Sequence, residues 1–301
     1  MTEHGKPERI GVGLIAMIAA VTIFSCMDAI GKWLGMAGYH PLQIVFLRYT
    51  LALVPVSIAV AINGVASLKT KRPIAHLARG ILMVFTLTMF FTGLRDMPLA
   101  EAISVAFTAP LFVTALSGPV LGERVGPSRW LAVIIGFIGM LIIVRPGSEA
   151  FQPHSLYVLI SAVTFAIGML FTRQLTRTES NMAIYTYTTV VAAFTAMLFQ
   201  PFIWQTPQTE HLPLFMSMGL IGGFSSFLII IAYRNAPAAV VAPFDYGALL
   251  WGALLGWYIW QEKPDALVWV GALIIVSSGL YITWRETRRR QPPAMQKSPA
   301  G

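Results

Sequence analysis

The chain repeats itself at a fixed offset of 139 residues. Arg95-Asp96-Met97-Pro98-Leu99-Ala100 returns as Arg234-Asn235-Ala236-Pro237-Ala238-Ala239. Farther on, Gly122-Glu123-Arg124 returns as Gln261-Glu262-Lys263, and Trp130 as Trp269. Between these marks Ala109 matches Ala248 and Leu111 matches Leu250, with no gap. A duplication this regular requires one structural unit to be built twice. Both copies lie in strongly apolar sequence, which points to a membrane protein made of two repeats, the usual plan of a transporter.

Composition supports a lipid solvent. The chain is 56% hydrophobic and 11% charged, against about 25% charged residues in an ordinary soluble domain. A soluble fold could not cover its surface with so few charges. The single cysteine, Cys26, excludes an internal disulfide or a cysteine metal cluster and reads as a small apolar helix residue. The net charge of +8 is spread between apolar segments and in the tail, as orientation signals are, so no nucleic-acid partner is expected. A cleaved signal peptide is not expected either, because nine further apolar segments follow the first.

About 20 apolar residues cross the hydrocarbon core as a helix. Ten segments qualify by sequence, near 10–34, 41–62, 77–95, 98–121, 129–145, 154–174, 182–203, 212–233, 237–260 and 265–284. The expected fold is therefore all-α and integral to the membrane, with ten transmembrane helices as two inverted five-helix repeats. Its parts are a cytoplasmic tail over 1–9, repeats over 10–145 and 146–284, and a basic cytoplasmic tail over 285–301 lying against anionic headgroups. Of the 21 Lys and Arg residues, Arg48 lies inside a segment. With the N-terminus inside, only Lys32, Arg95, Arg145 and Lys263 fall outside, leaving sixteen on the cytoplasmic face. Five spans per half is an odd number, so the second copy must be inverted, with the substrate where the halves meet.

Ionisable residues within spans are expensive and are candidates for function. Asp28 and Lys32 are four apart, share a helix face and can pair with each other or serve substrate or protons. Arg48, followed by Tyr49, reads either as a structural bond to carbonyls or a carboxylate, or as a carboxylate-binding fork. Asp245 lies in Ala242-Pro243-Phe244-Asp245-Tyr246-Gly247 with no cation one turn away, so it takes either a partner from another helix, with Arg48 the best candidate, or a hydrated position lining the pathway. Its counterpart stretch ends at Phe107-Thr108, followed by Pro110, so both repeats interrupt a helix near one depth. Ser104, Phe107 and Thr108 are expected to face the cavity with Tyr246. Thr86, Thr88, Phe90 and Phe91, then Thr164 and Phe165, then Tyr185 and Tyr187 add hydroxyls and rings, although such rings more often pack than bind. An aromatic pocket with few charges suits amphipathic or aromatic amino acids better than sugar phosphates, which call for several converging cations. The five histidines lie at segment ends or in loops and read as solvated. No phosphate loop or metal cluster is legible, so neither cofactor nor ATP drive is expected.

The chain resembles the drug/metabolite transporter superfamily, in its EamA-type branch, over residues 10 to about 285. The carriers of the resemblance are the ten short spans, the two-fold repeat and a Pro-x-Ala-x-Ala start to the fourth and ninth spans. These starts read Pro98-Leu99-Ala100-Glu101-Ala102 and, less closely, Pro237-Ala238-Ala239-Val240-Val241. Gly122-Glu123, echoed by Gln261-Glu262, is a further mark. Within the superfamily the chain is similar to the YddG group of amino-acid exporters. That implies a small-metabolite exporter of the bacterial inner membrane, working by alternating access on amino acids including aromatic ones; a monomer is the expected unit. The alternatives are export of another metabolite or a drug, or a membrane enzyme or scaffold. No catalytic dyad supports the enzyme, and no appended soluble domain supports the scaffold.

The charge bias sets a topology test. A reporter active only in the periplasm, fused after residue 301, is expected to stay silent. Strong activity would overturn the ten-span inverted arrangement.

Overall fold

A computed structural model describes residues 10–122, 125–148 and 151–290. The marks Glu123 and Arg124, the tail 1–9 and residues 291–301 lie outside the described residues. The described chain is helical, without strands. In chain order the helices are α1 (Ile10–Met36), α2 (Pro41–Asn63), α3 (Pro73–Asp96), α4 (Leu99–Ala106), α5 (Ala109–Leu121), α6 (Pro127–Val144) and α7 (Ser155–Leu175). There follow α8 (Asn181–Met197), α9 (Gln200–Ile203), α10 (Leu212–Asn235), α11 (Ala238–Val241), α12 (Gly247–Trp260) and α13 (Ala266–Arg290).

Among the described residues, eight helical segments are long and apolar enough to cross a membrane, counting α4 and α5 as one continuous segment. The other two of the ten expected positions are occupied differently. The expected helix over 182–203 stops at Met197 and resumes only as α9, so α8 has 17 residues. The ninth segment is split into α11, a 3-10 segment Ala242–Tyr246, and α12. Large apolar side chains face outward along the helices, as with Ile62 at 78% exposed and Phe202 at 86%. Such a surface needs lipid around it.

The repeat is visible in the backbone. Helices α3 and α10 are each 24 residues long, and Leu212 follows Pro73 by the sequence offset of 139. The ends of α5 and α12 reproduce each other more finely. Gly122 caps α5 at φ 70° and Gln261 caps α12 at φ 58°, both left-handed, at equivalent positions. Glycine takes this conformation freely, whereas glutamine does so at a cost. Side-chain packing also follows a two-fold pattern: α1 lies along α10 as α7 lies along α3, α2 packs on α8, and α6 on α13. Helices of one half thus pack mainly on helices of the other, so neither repeat stands apart as a separate body.

The breaks inside the repeats have a local cause. Pro110 has no N–H and its ring crowds the carbonyl one turn earlier, so α4 ends at Ala106 and α5 restarts at Ala109. Thr108 N bonds Val105 O in a tighter 3-10 turn. Pro243 opens the 3-10 segment of the second repeat in the same way. The prolines are not equivalent, yet the restarts fall within one residue of each other in the repeat: Phe107 corresponds to Tyr246, two residues before α5 and one before α12.

At the α6–α13 crossing the backbones nearly touch. A Cβ on Gly271 would lie 2.6 Å from Gly139 O, and one on Gly139 would lie 2.8 Å from Gly271 O. Only glycine permits this approach. Gly271→Val is expected to force the two helices apart, cost about 1–3 kcal/mol, and lower the thermal-unfolding midpoint in detergent. Gly11→Ala, with nothing within 4 Å, is expected to leave it unchanged. Equal midpoints for both variants would show that this contact does not hold the helices.

Candidate substrate pathway

The pathway candidates gather beneath a layer of charged and aromatic side chains at one face. Lys32, near the end of α1, is 2% exposed. Its Nζ donates to Met97 O at 2.6 Å and to Glu262 Oε1. Glu262 follows α12, and its other oxygen accepts the Leu99 N–H at 2.9 Å, capping the first turn of α4. One carboxylate thus ties α1, α4 and α12 together. Trp260 lies under the Lys32 ammonium at 4.9 Å, and Trp33 packs on Trp260 at 6.2 Å.

This arrangement corrects two sequence expectations. Lys32 does not pair with Asp28; it reaches Glu262, 230 residues away. The lysine is long enough to climb to the helix end, where a carbonyl and a carboxylate satisfy it. Asp245 does not pair with Arg48 either. It stands beside the Tyr233 hydroxyl of α10. Asp245 stands a few residues from the start of α11, near the face opposite Lys32, whereas Arg48 stands near the start of α2 on the Lys32 face.

Asp28, one helical turn inside Lys32 (about 6 Å), instead feels the charge of Arg48. Arg48 lies against the Tyr49 ring, 5.6 Å from its centre. The Arg48 guanidinium also reaches α10 at Gly222, where α1 arrives through Met27. So Asp28, Arg48 and Tyr49 meet at the junction of α1, α2 and α10. Phe107 and Tyr246, equivalent in the two repeats, stack with ring centres 4.9 Å apart. Two equivalent residues in mutual contact mark the axis relating the halves.

The remaining candidates divide. The Thr86 hydroxyl donates to Thr164 at 2.8 Å, joining α3 to α7. Phe90 packs beside Phe91 at the edge of the core. Tyr185 faces the Tyr49 neighbourhood across α8. Ser104 and Thr108 do not offer their hydroxyls to a cavity. Both are buried and donate to carbonyls of their own helix, Ala100 and Val105. Deprived of water, a hydroxyl takes the nearest acceptor.

Several polar contacts were not legible beforehand. Arg79, counted from sequence as a cytoplasmic orientation charge at the start of the third segment, lies within α3 and donates to Thr172 of α7 at 2.8 Å and to Thr188 of α8. Its partners are 93 and 109 residues distant, and no local pattern announces them. His76 is 1% exposed, 3.6 Å from the buried Glu179 carboxylate and stacked on Tyr187. His211 bonds the Tyr39 hydroxyl at 3.0 Å. These two histidines are therefore packed rather than solvated. Asp265, just before α13, accepts from Arg145 at the end of α6, and this bond holds its carboxyl below the ordinary range. Glu262 was visible only as an echo of Gly122-Glu123.

The fold and the buried polar junction between repeated halves define a multi-pass membrane transporter. The EamA-like transporter family matches residues 11–145 and again 153–284, and the chain belongs to it. It is similar to an S-adenosylmethionine uptake transporter of Rickettsia prowazekii, 29% identical over 92% of this chain and 94% of that one. It is likewise similar to a riboflavin transporter of Rhizobium johnstonii, 31% identical over 96% of each. A pseudopaline exporter of Pseudomonas aeruginosa is 29% identical over 87% of this chain and 92% of that one. A solved crystal structure shares the fold at a TM-score of 0.60 with 18% identity, covering 95% of this chain and all of that one. The chain is thus a small-metabolite transporter and not an enzyme.

The Glu262 bond carries a test. Glu262→Gln removes the counter-charge of a buried lysine and weakens the cap on α4. In a Cys26→Ser background, spin labels at Met36 and Tyr157 stand on α1 and α7 near this face. Their distance distribution is expected to shift to longer values in the Gln variant. An unchanged distribution in well-folded protein would show that the bond does not hold this face together.

Proposed function

We propose that the chain is a secondary carrier that exports amino-acid-type metabolites across the bacterial inner membrane by alternating access. In this reading ten helical spans form two inverted repeats, both termini are cytoplasmic, and the Lys32–Glu262 layer is the periplasmic closure. The observation that carries the reading is the stack of Phe107 on Tyr246, equivalent residues beside the helix interruption of each repeat. Interrupted helices crossing on a repeat axis are where carriers of this plan bind their cargo. Asp28, Arg48 and Tyr49 border that centre from one side, and Asp245 with Tyr233 approaches it from the other. Few charges and several rings suit a compact amphipathic solute.

The test is transport by purified protein in liposomes, with individual amino acids, S-adenosylmethionine and riboflavin offered in turn. Saturable movement of one or more amino acids, accelerated by the same solute on the far side, is expected. Movement of none of the solutes would overturn the carrier. Movement of riboflavin alone would overturn the amino-acid class.

A second reading is uptake, favoured by the Rickettsia relatives named for S-adenosylmethionine uptake. Cells expressing the protein would then accumulate the transported solute, whereas an exporter lowers its internal level.

A further inference from the structure

We propose that Asp28 and Arg48 form a two-point receptor for a zwitterion, with Arg48 taking the carboxylate and Asp28 the ammonium of an α-amino acid. The proposal rests on the carrier reading and adds the chemistry of its cargo. Four observations carry it.

The first is an incomplete pair. Asp28 and Arg48 carry opposite charges and influence each other, yet no ion pair within 4.0 Å joins them. Both residues are half-buried, where opposite charges attract more strongly than in open water. The second is an unused donor. Arg48 Nη1 is buried and has no hydrogen-bond partner among the described residues. A guanidinium donor shut away from water costs free energy unless something accepts from it. The planar fork fits a carboxylate through two parallel bonds.

The third is an unusual density of idle hydroxyls. Ser25, three residues before Asp28 and on the same face of α1, is 0% exposed with no partner for Oγ. Ser225 of α10, three residues after Gly222, is in the same condition. Unsatisfied polar groups are few in a native interior, and several at one junction call for a ligand or water to bond them. The fourth is placement. The junction lies one turn inside the Lys32–Glu262 layer, so a solute held there is shut off from that face while the ion pair stands. Glu262 already neutralises Lys32, and Arg79 is turned to Thr172 and Thr188, which leaves Arg48 as the cation for an incoming carboxylate and Asp28 as the anion for an ammonium. The Tyr49 ring, against the guanidinium, adds an apolar wall.

A zwitterion placed between the two groups supplies both missing partners at no change in net charge, so burial becomes favourable only with both ends engaged. Neutral amides, N-acylated acids and simple amines each leave one charge unanswered. The receptor therefore selects by the α-amino-carboxylate end and leaves the side chain to the aromatic surroundings.

The experiment measures thermal stabilisation of the purified full-length protein by each of the twenty L-α-amino acids and by S-adenosylmethionine. For the best ligand, the carboxamide and the N-acetyl derivative are then compared on wild type. Each derivative is expected to bind roughly tenfold to hundredfold more weakly, as for loss of a charge-assisted hydrogen bond. Arg48→Gln is expected to abolish the preference for acid over amide while keeping that for the free amine. Asp28→Asn is expected to do the reverse. The derivative series on wild type decides the matter even if a variant fails to fold. No stabilisation by any of these ligands, or equal binding of acid, amide and N-acetyl forms, would overturn the receptor. So would folded variants that keep both preferences. Binding without transport in liposomes would sink the carrier and leave the receptor. Transport of riboflavin with no amino-acid binding would leave the carrier and sink the receptor.

Discussion

Within a bilayer no water is available to bond the backbone, and the structure follows from that constraint. Nearly all of the apolar chain becomes helix, because only a helix satisfies N–H and C=O groups within one segment. A break in a helix is tolerable only where protein surrounds it. The interruptions at Phe107–Thr108 and at Ala242–Tyr246 fall where the halves cross, with Ser104 and Thr108 bonding nearby carbonyls. The same demand explains the Lys32 ammonium, which finds Met97 O and Glu262 at the helix end. Irregular backbone and buried charge therefore collect in one region. A carrier needs its binding groups there, and the bilayer permits them there.

Much of this was legible in sequence. The offset of 139 placed the second set of helices, because Pro98 and Pro237 punctuate both copies at the same point. The start of α4 and the start of α11 share their Pro-x-Ala opening, and both are realised as helix starts. Proline read as an interruption proved to act as one. The length of α8 was less legible: Leu198 and Phe199 are apolar enough to continue a helix, yet Pro201 forces a turn before α9.

Side-chain partnerships were the illegible part. A spacing of four suggested Asp28 with Lys32, since helical neighbours are all that a single sequence displays. The observed partner of Lys32 is 230 residues away. Arg79 looked like an orientation charge because it lies close to a basic loop, but its two threonine partners stand on other helices. The equivalence of Phe107 and Tyr246 was legible, but their stacking was not. Only the fold shows that the repeat axis passes between them.

The duplication is also imperfect where it matters most. Phe107 and Tyr246 are both aromatic and sit on the axis, so the centre treats the two faces alike. Lys32 corresponds to Phe171, Asp28 to Ile167 and Arg48 to Tyr187. None of the three charges is repeated. The Lys32–Glu262 bond thus has no twin in sequence, even though Glu123 repeats the carboxylate, and in the proposed carrier closure of the opposite face would use different contacts. The charged junction likewise lies off the axis, within the packing of α1, α2 and α10. A symmetric scaffold supplies two related arrangements of similar energy, and asymmetric side chains tilt the balance between them. A ligand bound off the axis touches the two bundles unequally, so it shifts that balance by the difference in its affinity for the two arrangements. In the proposed carrier the repeat would provide the motion, and the residues that break the repeat would give that motion its cargo and its direction.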